Sequence, residues 1–228
     1  MKFHIAATTL FSTHHASAAD VLAGRVRDPT TPAYPLLAGR ARRFTSLVTQ
    51  MHMEVLGALP VEPTAAVFAT VHGEIQTAEK LIADFRANAL VSGARFALSV
   101  HNSPSGVYSV ATGSTSPTTT VTGANALAAG WLEAALTAHD RAVLLSIADE
   151  PVPAVFRGPD QPVGVAAGFL LGATGRAAEL VFATGEVEVN TVQTLARIVD
   201  AYTRDAATVI ALGSVQPGTT LELHLGAR

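Results

Sequence analysis

From Phe96 to Leu132 the chain runs for 37 residues without a single Asp, Glu, Lys or Arg. Charged side chains are the usual means by which a soluble fold meets water, so such a stretch belongs in a core, under another protein or in lipid. Its own content excludes lipid. Asn102, Pro104, Pro117 and a series of Ser and Thr residues would leave polar groups unsatisfied there, and no window supplies the roughly 18 uninterrupted apolar residues of a membrane helix. One strand, two helical pieces and their turns cannot all occupy the centre of a 228-residue chain. The segment is therefore expected to form an interface. The whole composition points the same way, with 14% charged and 49% hydrophobic residues against about 25% charged in an ordinary soluble domain.

The absence of cysteine removes disulfides, thiolate metal sites and every cysteine-nucleophile mechanism. A net charge of −3 and a pI near 6.2 give no basic field for phosphates, so nucleic acid is not an expected partner. The N-terminus imitates a secretory signal through Lys2 and the small-residue segment Ala16-Ser17-Ala18. Its apolar run is interrupted by His4, Thr8 and Thr9, and Phe3 to Phe11 reads as a buried strand instead. A cytoplasmic protein with no membrane span is expected.

Strand and helix patterns alternate along the chain. A strand at 3–11 is followed by a loop with Pro29, Pro32 and Pro35, then a helix at about 38–58 carrying Arg40, Arg42 and Arg43 and closed by Pro60 and Pro63. Ala65 to Val71 is a buried strand that opens into a helix reaching Asn88, on which Ile75, Ala78, Leu81, Ile82 and Phe85 share one face. Further strands are expected at 118–121, 143–149, 163–171, 178–183, 208–212 and 219–225, with helices at 123–139 and 189–205. This alternation implies an α/β fold, a layered αβα arrangement with a mostly parallel mixed sheet, over a single domain of residues 1–228.

Familiar catalytic motifs are missing. No G-x-S-x-G elbow, phosphate loop or H-E-x-x-H occurs, and Gly172-Ala-Thr-Gly175 reads as a turn. His14 and His15 read as surface residues, and Asp149-Glu150 as two solvated carboxylates at a strand-end turn. No metal or cofactor site is expected.

Residues 98–133 carry a resemblance. The run from Ser99 through Asn102 and Gly106 to Ala111 resembles the Asn-x-x-x-Gly segment of β-ketoacyl synthases, where a buried helix precedes the nucleophile strand. Ser116-Pro117-Thr118-Thr119-Thr120-Val121-Thr122-Gly123-Ala124-Asn125 resembles the strand and turn that present their cysteine at the start of a long helix, a location that lowers a thiol pKa. Residues 67–74 and 143–153 are similar to further strands of the family. The resemblance implies a thiolase-like half, covering about residues 40–185, with Gly123 at the position of the nucleophile. The family's two later histidines have no counterpart, because His224 lies in neither of their contexts.

The chain thus resembles the short synthase-like proteins, or chain length factors, that accompany aryl polyene pigment clusters. That implies a non-catalytic subunit pairing with a full-length β-ketoacyl synthase as a heterodimer, reaching acyl carrier protein through that complex, in fatty acid or polyketide biosynthesis. Phe96, Ala97 and Leu98 are then expected at the acyl tunnel, Asn102 and Gly106 in buried helix geometry, and Gly123 at the vestigial nucleophile turn. Two other readings stand beside it. One is a diverged serine acyltransferase or hydrolase using Ser99, Ser103 or Ser105 with His101 or His72; the other is a self-associating scaffold module.

Overall fold

The computed structural model describes residues 1–34, 36–37, 45–60, 64–156 and 163–227. Along the chain these form β1 (Lys2–Ser12), α1 (Ala18–Leu22), α2 (Leu47–Gly57), β2 (Ala65–Thr70), α3 (Ile75–Asn88), α4 (Gly93–Ala97) and α5 (Ser103–Thr112). There follow β3 (Thr118–Thr122), α6 (Ala126–Thr137), β4 (Val143–Asp149), β5 (Val165–Gly172), β6 (Arg176–Thr184), α7 (Thr191–Thr203), β7 (Thr208–Gln216) and β8 (Thr219–Leu225). Helix α2 starts at a Ser46 cap whose hydroxyl accepts the Thr49 N–H at 3.1 Å. The part of the expected helix that carries Arg40, Arg42 and Arg43, like Pro35 and Pro63, lies outside the described residues.

One eight-stranded sheet in the order β3-β2-β4-β5-β1-β6-β8-β7 runs through the molecule. It is mixed, as expected, but not mostly parallel. Only β3–β2 and β2–β4 pair in parallel; the other five pairings are antiparallel. Parallel neighbours need a crossover of a dozen or more residues, and the segment holding α3 to α5 supplies one between β2 and β3. The two-residue link between β7 and β8 can only make a hairpin.

The Gly172–Gly175 turn does something more specific than reverse the chain. Strands β5 and β6 both pair antiparallel with β1, on its opposite edges, so they run in the same direction and the turn carries the chain across β1. At that crossing β1 is irregular between Ile5 and Ala7. A Cβ on Gly175, whose φ is +124°, would lie 2.4 Å from the Ile5 carbonyl oxygen. No other residue type fits there.

Helices cover both faces of the sheet. On one face α6 packs against β2, β3 and β4 and also against β7, while α7 packs on β1, β5 and β7. The sheet therefore curls around these two helices. Trp131 of α6, fully buried, touches the rings of Phe169 and Phe3, with centroids 4.7 and 6.2 Å away. On the other face α2 lies across β4, β5 and β1, and α5 leans against α2, β2 and β3. Among the described residues no helix covers β6, β8 and β7 on that second face, and Val209 there is 55% exposed.

Arg176 fastens the curled end. It is 1% exposed, and its guanidinium donates to the carbonyls of Gly226, Ala201 and Ala206 at 2.7, 2.7 and 2.6 Å. The last two accepting groups belong to the end of α7 and the residues after it, where the negative end of the helix dipole favours a cation. Arg176→Met is expected to lower the unfolding free energy by about 3 kcal/mol, because three carbonyls, that of Ala201 buried, lose their charged donor. Urea denaturation measures the loss.

Candidate functional site

The C-terminal ends of the parallel strands β2, β3 and β4 come together at one edge of the sheet, the location where open α/β sheets ordinarily bind ligands. Thr70 ends β2, Thr122 leads into Gly123, and Asp149 ends β4. Gly123 has a φ of +103°, donates its N–H to the Thr70 carbonyl at 3.2 Å and accepts from the Ala126 N–H at 2.8 Å. It is thus held against β2 and hooked to the first turn of α6, with its own conformation reserved for glycine. Two residues, Ala124 and the cap Asn125, separate it from the helix. A Cβ at Gly123 would meet nothing within 4 Å, so the space beside this turn is open.

Asp149 braces the neighbouring turn. Its Oδ1 accepts from the Thr70 hydroxyl at 2.8 Å, the Val71 N–H at 2.8 Å and the His72 N–H at 3.1 Å. Glu150 accepts the Gln76 N–H at 2.8 Å in the first turn of α3, and Glu74 accepts the Thr49 and Thr77 hydroxyls at 2.8 and 3.3 Å. Instead of being solvated, Asp149 and Glu150 are 2% and 1% exposed and Glu74 is 3% exposed. The turn at 71–74 and the free amides of α3 need acceptors, which draws the carboxyls inward. Burial raises all three pKa values above the usual range, against the pull of their hydrogen bonds; Glu150, which also faces Glu74, reaches about 7.

The residues expected at the tunnel divide. Ala97, Leu98, Asn102 and Gly106 line one groove of about 660 Å³, together with Leu37, Val107 and Val110 among others. Phe96 is not part of its lining and is 61% exposed. Asn102 and Gly106 are exposed rather than buried. Helix α5 turns Pro104, Ser105 and Tyr108 inward, Tyr108 lying edge-on to Phe68 at 5.8 Å, so positions 102, 106 and 110 fall on its outer side. Helix α3 differs from expectation in the same sense: Leu81 is buried, but Ile82 and Phe85 are 42% and 58% exposed.

No serine-based site assembles among the described residues. The Ser99 and Ser105 hydroxyls donate to the Phe96 and Asn102 carbonyls at 2.8 Å. The hydroxyls that meet histidines are Ser12 with His15 at 2.9 Å, Thr13 with His14 at 2.7 Å and Ser146 with His52 at 2.7 Å. Ser146 and His52 are sealed in the core, where burial lowers His52 to about 3. His15 is 8% exposed, so it is not the surface residue that its neutral surroundings in sequence suggest. No group of three metal-ligating side chains occurs among the described residues.

Residues 14–212 match the family described as beta-ketoacyl synthase, N-terminal domain. The chain belongs to this family. No curated protein matches it. Among solved structures, the fold is similar to a chain of a ketosynthase in complex with its chain length factor from Xenorhabdus doucetiae. That alignment has a TM-score of 0.77 and 16% identity and covers 98% of this chain and 99% of the other. The ishigamide ketosynthase/chain length factor gives a TM-score of 0.72 at 13% identity, with coverage of 100% and 99%. The thiolase-like α/β fold follows from these likenesses, and the family match extends well beyond residues 40–185 at both ends. No described helix of this β-ketoacyl synthase domain is long and apolar enough to cross a membrane.

The buried carboxyls give the domain a pH signature. With Glu150 near 7 in the folded chain and at its ordinary value when unfolded, the folded state holds a proton that the unfolded state releases. The resulting stability is complete below about pH 4.5 and is lost as the pH rises through 7. Wild type is therefore expected to lose stability relative to Glu150→Gln between pH 5 and 8. Parallel thermal melts across that range check the difference.

Proposed function

We propose that this chain is a non-catalytic β-ketoacyl synthase-like subunit of the chain length factor type, a single domain that pairs with an active ketosynthase in fatty acid or polyketide biosynthesis of the aryl polyene kind. The observation that carries the reading is a synthase frame with glycine at the nucleophile turn and an exposed apolar face beside it. Gly123 offers no side chain to an acyl group, and the chain holds no cysteine that could replace it. Without a nucleophile, the contribution left to such a subunit is shape.

The uncovered face supports pairing. Ile82, Phe85, Leu90, Val91, Phe96, Val100 and Val110 are all exposed, between 38% and 84%, and they fall within one stretch of α3 to α5. Next to them β3 is an edge strand of Thr and Val, with none of the charges or prolines that usually protect a free edge. Contiguous apolar surface of this kind is rarely left bare by a soluble monomer. The neighbouring solved complexes, described as ketosynthases with chain length factors, support a ketosynthase as the partner. Acyl carrier protein is reached through the complex, in the cytoplasm.

Co-expression with the cognate ketosynthase is expected to give a 1:1 complex by sedimentation. Phe85→Asp is expected to abolish it, while Phe182→Asp, at a similarly exposed position on β6, leaves it intact. A wild-type chain that stays a clean monomer beside its synthase contradicts the reading. In the reconstituted complex Phe96→Ala is expected to lengthen the carrier-bound products, and Ala97→Phe or Leu98→Trp to shorten them, by mass spectrometry. If Phe96 only packs, the complex melts lower and the products do not change.

A further inference from the structure

Helices α3 and α4 form an arm that the rest of the chain holds at one end. Among the described residues, α4 is the one element that α3 packs against at more than isolated points, and Arg95 of α4 pairs with Asp84 at 2.8 Å on the surface. Leu81 is the one buried side chain of α3. Its ties to the body gather at the first turn. There the Gln76 N–H donates to Glu150 at 2.8 Å, and the Gln76 side chain donates to the Pro151 carbonyl at 3.0 Å. Glu74, just before the helix, reaches the Thr49 hydroxyl in the first turn of α2 at 2.8 Å.

An arm fixed in this way moves if its root changes, and the root holds two buried carboxyls. Glu74 has its oxygens met by the Thr49 and Thr77 hydroxyls. Glu150 is less well provided. One of its oxygens accepts the Gln76 N–H, and the other, Oε2, is buried without a hydrogen-bond partner among the described residues. Burial is the strongest influence against its ionisation and Glu74 adds to it, while the Gln76 and Val48 amides and Lys80 of α3 favour the charge. Asp149, next to it in the chain, is also buried and has His72 as its charged neighbour. Protonated, Glu150 leaves only a neutral group unpaired. Ionised, it sets an unpaired charged oxygen in a buried site beside a second carboxyl, which costs far more.

Relief is available on one side. Strand β4 is buried throughout and α2 over most of its length, whereas α3 can swing outward and admit solvent to the carboxylate. A partner seated on Ile82 and Phe85 blocks that movement, so the complex holds the proton more tightly than the free chain does. By linkage, pairing then takes up protons.

We infer that a proton on Glu150 seats the α3–α4 arm: with it the arm presents Ile82, Phe85, Leu90 and Phe96 as the structure shows, and without it the arm swings from its root and pairing weakens. The movement follows from this chain alone. Its consequence for pairing rests on the subunit reading above.

The chain has no cysteine, so a nitroxide on Ala87→Cys, at an exposed position near the end of α3, reports the arm selectively. Between pH 6 and 8, across the value of about 7 for Glu150, its mobility in the isolated chain is expected to rise about twofold. Adding Glu150→Gln is expected to keep the signal level, since glutamine is neutral throughout and leaves an acceptor for the Gln76 amide. Over the same range the Kd for the active synthase, by calorimetry, is expected to weaken about fivefold more for wild type than for Glu150→Gln. The buffer dependence of the heat is expected to show proton uptake that the variant lacks. A level nitroxide signal in wild type, a rise shared by Glu150→Gln, or an affinity that falls equally in both overturns the inference. An arm that loosens as expected in a chain that never pairs removes the subunit reading and leaves the proton-controlled arm standing.

Discussion

Helix α6 is apolar over most of its surface. Between Ala126 and Thr137 its one charged residue is Glu133, and Ala126, Leu127, Ala128, Gly130, Trp131, Ala134 and Ala135 are all buried. A helix apolar over so much of its surface has to be covered over more than one side, and a flat sheet covers only one. The sheet meets the demand by curling. Strands β2 and β4 approach so closely that only a glycine fits at position 130, and β7, at the far end of the strand order, returns to touch the same helix. Crossing the chain over β1 at Gly175 and fastening the α7 terminus with Arg176 are what allow β6, β8 and β7 to extend the sheet far enough to close.

Enclosing α6 uses one face of the sheet, and it leaves the chain polarised. The closed end has alternating strands with a solvated outer side, carrying the Glu222–His224 pair at 2.9 Å and other titratable groups. The opposite end, with α3, α4, α5 and the edge strand β3, has many bared apolar side chains. Helix α3 is anchored mainly through polar contacts at its N-terminus, from Glu150 and Glu74, and through Leu81. An element held this lightly, with Ile82 and Phe85 turned outward, fits the pairing proposed above. The glycine at 106 belongs to the same pattern, in which local helix stability is given up on the side that faces away from the chain's own core.

Much of this was legible in the sequence because the informative residues interact locally. Apolar runs such as Ala65–Thr70 and Val143–Asp149 are buried on both faces and cannot be much else, and Ser46 and Asn190 cap their helices through side chains that speak for themselves. The run from Asn102 to Gly123 carried the family. What the sequence concealed depends on which element lies beside which. The periodicity of α3 reveals an apolar stripe but not that the stripe faces outward, and Asn102 and Gly106 lie on the outer side of a helix whose inner side is set by Tyr108. Asp149 and Glu150 look like solvated carboxylates until the unpaired amides of the 71–76 turn are placed next to them. The antiparallel majority of the sheet follows from a strand order in which β1 separates β5 from β6, and no local pattern encodes that order.

Amide hydrogen exchange of the chain, alone and mixed with its ketosynthase, tests most directly whether the end with the exposed apolar side chains closes on a second protein. Alone, α3, α4, the outer turns of α5 and the edge of β3 should exchange quickly while α6 and its surrounding strands stay protected. With the synthase, protection should rise across residues 75–125 and remain unchanged over β6, β8 and β7. Protection that appears on the outer face of β6, β8 and β7 instead, or none over 75–125 in a mixture where the two proteins bind, would contradict it.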